Sequence, residues 1–135
     1  MPEAHVYLGT AAVAMSLLSP RRISWRRSRQ VGWPLLMAGS AFAAWATRAA
    51  GPTDLVRPDR VVTGGPYGMS RHPMYVAWTA IYLGVAFVTR TAWLLLFTPL
   101  LAVLIRREIA REEQRLTATF GSAYVAYQAR VRRYL

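Results

Sequence analysis

Four stretches of the chain are almost free of charge, and the polar residues crowd into the segments between them. They are AHVYLGTAAVAMSLLS (residues 4–19), GWPLLMAGSAFAAWAT (32–47), PMYVAWTAIYLGVAFV (73–88) and TAWLLLFTPLLAVLI (91–105). Each is apolar all round, without the polar face of a helix that lies on a soluble protein. The pattern predicts four helices buried on every side. Each is shorter than the roughly 20 residues that cross a hydrocarbon core. Flanking Arg side chains can snorkel, and Trp and Tyr can sit at the interface, which extends the usable length. A soluble bundle of four such helices would leave too little polar surface in so small a chain. The expected class is therefore all-α: an integral membrane helical bundle of about four transmembrane helices in a single domain, residues 1–135.

Only Thr89 and Arg90 separate the third and fourth stretches, so these two predict a tight helical hairpin that enters a bilayer and returns. Pro34 and Pro99 fall inside helical stretches, where neighbouring helices can satisfy the carbonyls they free. The fourth stretch runs on into RREIAREEQRLTATFGSAYVAYQARVRRYL. There Ile109, Leu116, Phe120, Tyr124 and Tyr127 recur at helical spacing, which predicts a C-terminal amphipathic cytosolic helix bent or broken near Gly121. Residues 48–66, rich in Gly, Pro and charge, form the long loop.

Charge sharpens this picture. Apolar residues make up 54% of the chain, yet the formal net charge is +11 and all 17 basic residues are Arg. On the hairpin topology, eleven Arg lie in the long loop and tail and six on the other side. The positive-inside rule then places the tail in the cytosol, which suits a bacterial cytoplasmic membrane. The outlying Arg residues, Arg132 and Arg133 among them, suit anionic phospholipid headgroups. The N-terminus lacks the basic start and cleavage site of a signal peptide and is expected to be a retained segment. There is no Cys, which excludes disulfides, thiolate catalysis and zinc–thiolate sites; no metal site is expected.

The stretch GPYGMSRHPMY, residues 65–75, stands at the start of the third helix. Pro73 suits a first helical position, where the missing N–H has no partner anyway. Arg71 and His72 then sit at the helix N-terminus, with Tyr75 in the first turn and Tyr67 just before. Free N–H groups and a partial positive charge make that end hospitable to an anionic ligand group. The hairpin is antiparallel with arms of similar length, so its open end brings residue 72 near residue 107. There Arg106, Arg107, Glu108, Glu112 and Glu113 begin the polar tail. A polar pocket above an apolar wall is the expected result.

With these residues in view, the chain resembles the isoprenylcysteine carboxyl methyltransferase family and the related phospholipid methyltransferases. They share an Arg-His-Pro-x-Tyr run before a membrane hairpin, then Glu-Glu-x-x-Leu-x-x-x-Phe-Gly-x-x-Tyr-x-x-Tyr. Here the second part is Glu112, Glu113, Leu116, Phe120, Gly121, Tyr124 and Tyr127. The motif-bearing part covers residues 58–133. The resemblance implies a methyltransferase with S-adenosylmethionine bound at the cytosolic end of the hairpin. The residues it implies for the cofactor are Tyr67, Arg71, His72, Pro73, Tyr75, Glu112 and Glu113. The implied acceptor is lipophilic and membrane-borne, an isoprenylcysteine-like carboxylate or a lipid headgroup, and reaches the site from the bilayer. A carboxylate acceptor needs a cation to hold it, for which Arg107 is the candidate; an amine acceptor needs deprotonation, for which Glu112 is the candidate. The chain departs from the pattern at Ala77, where a Gly is common, and at Glu108, where carboxyl methyltransferases carry an Arg.

Taken singly, these residues have plainer readings. A lone His at a helix N-terminus is usually a cap. Glu residues on an Arg-rich helix usually form a solvated lattice, here Glu108 with Arg111 and Glu112 with Arg115. Among rival functions, nucleic-acid binding fits the charge, but uncharged blocks divide the Arg clusters and no groove-reading motif is present. A basic membrane scaffold would need neither motif. A membrane reductase of the sterol-reductase type also carries a His-Pro-x-Tyr element and would use a nicotinamide cofactor. The Glu-Glu…Phe-Gly run favours the methyl donor.

Overall fold

The computed structural model describes residues 24–52 and 58–135, with Tyr7, Leu18, Arg22, 9–11 and 14–15 from the segment before them. The helix expected over 4–19 lies largely outside the described residues. Among those residues the fold is all-helical. In chain order the elements are α1 (Ser28–Ala50), one 3-10 turn (Gly65–Gly68), α2 (Pro73–Thr89), α3 (Ala92–Phe120) and α4 (Ser122–Arg130).

α1 and α2 pack antiparallel with their backbones nearly touching. A Cβ built on Gly32 would lie 2.7 Å from the backbone nitrogen of Val88, and one on Gly84 would lie 2.7 Å from that of Leu36. Only glycine permits this approach, and the buried Ala46 and Ala77 continue the small-residue seam. The connection to α3 is the tight turn that the sequence predicts. Arg90 takes a left-handed conformation (φ 58) at the end of α2, and the Thr91 N–H donates to the Ala86 carbonyl at 3.0 Å.

α2 and α3 stand further apart, spaced by Tyr82, Leu94, Leu101, Ile105 and Ile109. The Tyr82 hydroxyl crosses between them and donates to the Leu94 carbonyl at 2.9 Å. Leu101, Ile105, Ile109 and Glu113 recur every four residues on the buried face of α3. A carboxylate thus continues the apolar stripe beyond the end of the core. Gly121, at φ +51, ends α3 and lets α4 turn back, which is the break expected there. Tyr124 and Tyr127 on α4 are buried.

No helix among the described residues is long and apolar enough to cross a membrane. α2 has 17 residues, about 25 Å at 1.5 Å per residue. α3 has 29, but its apolar part stops at Arg106. Of the four transmembrane helices anticipated from the hydrophobic pattern, the three that fall within the described residues are therefore not reproduced as helices of spanning length.

Candidate active site

The site forms where the N-terminus of α2 meets the polar half of α3. α2 begins as the sequence implies, with Pro73 at its first position, and His72 is its N-cap with no side-chain cap bond. The hydroxyl of Ser70 takes over the local bonding by accepting the His72 N–H at 3.2 Å. The 3-10 turn before it folds the chain so that the Ser70 N–H reaches the Pro66 carbonyl at 3.0 Å. These bonds hold Arg71 and His72 against α3.

Glu113 is the hub. Its buried carboxylate accepts from Arg71 Nη1 at 3.0 Å, His72 Nε2 at 3.2 Å, and Arg133 Nε and Nη2 at 3.2 and 2.6 Å. A carboxylate can only accept, so the Nε2 of His72 carries the proton. Burial holds the imidazole below its ordinary value, against the nearby Glu112 and Glu113 carboxylates that favour the charged form. His72 is therefore neutral at pH 7. Burial pushes the Glu113 carboxyl up, but the hydrogen bonds from Arg133 and His72 and the charge of Arg71 outweigh it, and the group stays below the usual carboxylate range.

Glu112 is placed differently. One residue further back on the helix turns its side chain by about 100°, away from the hub. Its carboxylate lies 3.9 Å from His72 Nδ1 and hydrogen-bonds the Tyr75 side chain. The rings of His72 and Tyr75 meet edge to face at 5.9 Å. Glu112 also lines a small cleft of about 60 Å3 with Arg71, Tyr67, Tyr124, Tyr127 and the loop residues Arg60 and Val62. Two polar atoms of the cleft residues, the Tyr67 hydroxyl and Arg71 Nε, are buried with no hydrogen-bond partner. Burial, then the charge of Glu112, pushes the Tyr67 hydroxyl up to about 12, so it keeps its proton and remains a donor. The Tyr127 hydroxyl anchors this wall by donating to the Tyr67 carbonyl at 2.6 Å.

A second cavity, an apolar groove of about 500 Å3, runs between α2 and α3. Val76, Thr79, Leu83, Leu101 and Ile105 line it, with Tyr75, Arg106 and Tyr134 at the end nearer the hub. Tyr75 faces the groove and bonds Glu112, so the groove and the cleft adjoin at that pair.

The structure brings Tyr67, Arg71, His72, Pro73, Tyr75, Glu112 and Glu113 together around one point. It leaves Arg107 outside: that side chain is exposed on α3 and makes none of the ion pairs of the hub, while its neighbour Arg106 borders the groove. Glu108, half-buried on another face, pairs with Arg111 at 3.7 Å and Arg115 at 3.3 Å. The partner of His72 lies six residues beyond the expected position 107, on an α3 of 29 residues against the 17 of α2. Two residues of the site escape sequence reasoning. Arg133, assigned above to lipid headgroups, clamps Glu113; Ser70 ties the loop together. Neither carries a local signal, since the contact of Arg133 depends on how α4 folds back.

Among the described residues, then, a charge-coupled His–Glu–Arg hub and an adjoining cleft stand beside an apolar groove. A family model described as phospholipid methyltransferase matches residues 28–123, most of the described chain. The protein belongs to that family, whose members are methyltransferases acting on lipid-related substrates. No curated protein and no solved structure matches the chain.

Proposed function

We propose that the protein transfers a methyl group from S-adenosylmethionine to a lipophilic acceptor held in a membrane. The observation that carries this reading is the cleft: two buried polar atoms without partners, the Tyr67 hydroxyl and Arg71 Nε, beside the carboxylate of Glu112. Buried donors without partners are costly, and a ligand that accepts from them removes the cost. Both suit the carboxylate of an amino-acid moiety, while Glu112 suits its ammonium or a ribose hydroxyl. Tyr67, Tyr124 and Tyr127 offer aromatic faces to a sulfonium cation. The chemistry of the donor set thus fits the cofactor. The volume does not until the wall moves, because about 60 Å3 is well below the roughly 300 Å3 of ligand pockets. Pro58, Arg60, Val61 and Val62 of the loop line one side of the cleft, and binding of the cofactor requires that side to move outward.

When bound, the cofactor supplies an electrophilic methyl group for a direct in-line displacement. The residues of the chain align the reactants and exclude water. The groove takes the apolar part of the acceptor, and Tyr75 and Glu112 meet its reactive end. Glu112 accepts a proton from an amine acceptor. For a carboxylate acceptor the cation proposed from sequence is Arg107; Arg106 is the Arg that borders the groove. Residence in a membrane is part of the same proposal. Trp33, Met37, Trp45, Trp78, Leu96, Leu100 and Val103 expose apolar side chains along α1–α3, and close Gly-mediated packing as between α1 and α2 is common where lipid surrounds helices.

The test is calorimetry of the detergent-purified protein with S-adenosylhomocysteine and with NADPH. It is followed by transfer of labelled methyl groups into a lipid extract by the wild type, His72→Ala and Glu112→Ala. Binding of the homocysteine ligand alone, and transfer lost in both variants, is expected. Binding of NADPH, or of neither ligand, overturns the reading.

A further inference from the structure

The segment that follows α4 is tied down more firmly than a frayed terminus. The Arg71 N–H donates to the Arg132 carbonyl at 2.9 Å, and the Ser70 hydroxyl donates to the Arg133 carbonyl at 3.2 Å while accepting the His72 N–H. The Arg133 side chain then reaches Glu113 with both Nε and Nη2. Next along, Tyr134 borders the polar end of the groove. One short strap therefore touches the loop carrying Arg71 and His72, the hub carboxylate, and the mouth of the groove.

We propose that Arg133 is a positioning residue for the methyl-donor site: by occupying Glu113 it keeps Arg71 available to the cleft. The inference rests on the methyl-donor reading above. The hub has one carboxylate and two guanidinium groups. Arg133 takes both oxygens of Glu113 in the fork geometry that guanidinium and carboxylate share. Arg71 contributes only Nη1, so its Nε is left without a partner and Arg71 still lines the cleft. Without Arg133, Glu113 has a vacant oxygen and Arg71 is its nearest remaining cation. Arg71 then closes onto Glu113 and its Nε leaves the cleft. Lys at 133 would keep the charge but not the fork, so the substitution separates charge from geometry.

The experiment has two readouts on the full chain in detergent. One is the dissociation constant of S-adenosylhomocysteine. The other is the NMR titration of His72, one of only two histidines, which faces Glu112 and Glu113 from α3, Tyr75 from α2 and Arg71 from its own loop, and shares Glu113 with Arg133 of the strap. Arg133→Gln should weaken binding about ten-fold, the scale of one charge-assisted hydrogen bond. It should also shift the His72 midpoint, since Glu113, which His72 shares with both Arg residues, loses one cation and draws the other closer. Arg133→Lys should leave the titration near that of the wild type and restore affinity only in part. Arg130→Gln, an exposed change on α4, should alter neither. Wild-type affinity together with an unmoved titration in Arg133→Gln overturns the proposal. If Arg133→Gln does not fold, Arg133→Lys decides: partial affinity supports the proposal and full affinity overturns it. If the wild type binds no S-adenosylhomocysteine, the methyl-donor reading falls with it, and the titration then tests only whether the strap is coupled to the hub.

Discussion

Replacing Glu113 by Gln should cost stability first, and replacing Glu112 by Gln should cost activity first, although the two residues are adjacent. At Glu113 three side chains converge on two oxygens, with contacts from 2.6 to 3.2 Å, and the carboxylate side chain is 7% exposed. The Gln amide keeps one acceptor but turns a donor toward groups that are themselves donors. Removing one partner of a buried pair costs about 3–5 kcal/mol. Arg133 is half-exposed and can swing to solvent, which takes the expectation to the lower end, about 3 kcal/mol. For a domain of this size that is a fall in Tm of about 10 °C. Glu112 is partly exposed, and Gln can still accept from Tyr75, so the loss there should be below about 1 kcal/mol. Methyl transfer should nevertheless fall roughly a hundred-fold in Glu112→Gln, the scale of losing a proton acceptor at the reacting group. Thermal melts in one detergent, with the labelled-methyl assay, check both. If the two variants melt together, the hub does not have the asymmetry argued here. A His72 titration that moves up rather than down in Glu113→Gln refutes it as well, because loss of the carboxylate should leave burial and Arg71 to depress the imidazole further.

Acid should destabilise the fold in two stages. His72 has a folded value below its ordinary 6.5, so the unfolded chain binds more protons and stability falls as pH drops from about 6.5 toward that folded value; Glu113, held below its ordinary 4.5, adds a second loss as pH drops below about 4.5. Melting midpoints from pH 8 to about pH 3 should therefore decline, and His72→Gln should remove the first stage while leaving the second. Gly84→Ala should separate α1 from α2, because the added methyl would stand 2.7 Å from the Leu36 nitrogen and 2.9 Å from its Cα; a loss of about 1–3 kcal/mol is expected in the same melts, against a negligible change for Gly64→Ala, which meets open space.

Much of this arrangement was legible in the chain. The uncharged stretches mark α1, α2 and the first half of α3, the Thr89–Arg90 pair marks the turn, and Pro73 marks where α2 begins. From these alone His72 had to lie near the start of the acidic run. What sequence could not supply is phase and register. Which of two adjacent Glu residues faces the hub depends on a rotation of about 100° about the helix axis, and that is set by packing against Tyr82 and its neighbours rather than by local pattern. The close seam at Gly32 and Gly84 was equally invisible, since a Gly in an apolar stretch has the same appearance whether a neighbour touches it or not. The contact of Arg133 with Glu113 was hidden for a related reason: a basic residue after a helix looks only like a headgroup ligand until the fold returns it to Glu113. Hydrophobic pattern also suggested more than the helices deliver, because α2 is short and the apolar run of α3 gives out at Arg106.

The paired carboxylates then have a physical reason to be consecutive. A ligand-facing carboxylate beside a buried hub would by itself draw in the nearest cation, and Arg71 would be lost to it. Placing a second carboxylate one residue away, on the face turned toward the loop and strap, gives Arg71 and Arg133 a buried partner of their own. Glu113 absorbs the basic groups that position the loop, and Glu112 is left facing Tyr75, Tyr67 and the cleft. Moving either Glu one position away from the other along α3 would set the two about 200° apart and turn one of them away from the site. A single carboxylate would then have to serve the fold and the ligand together.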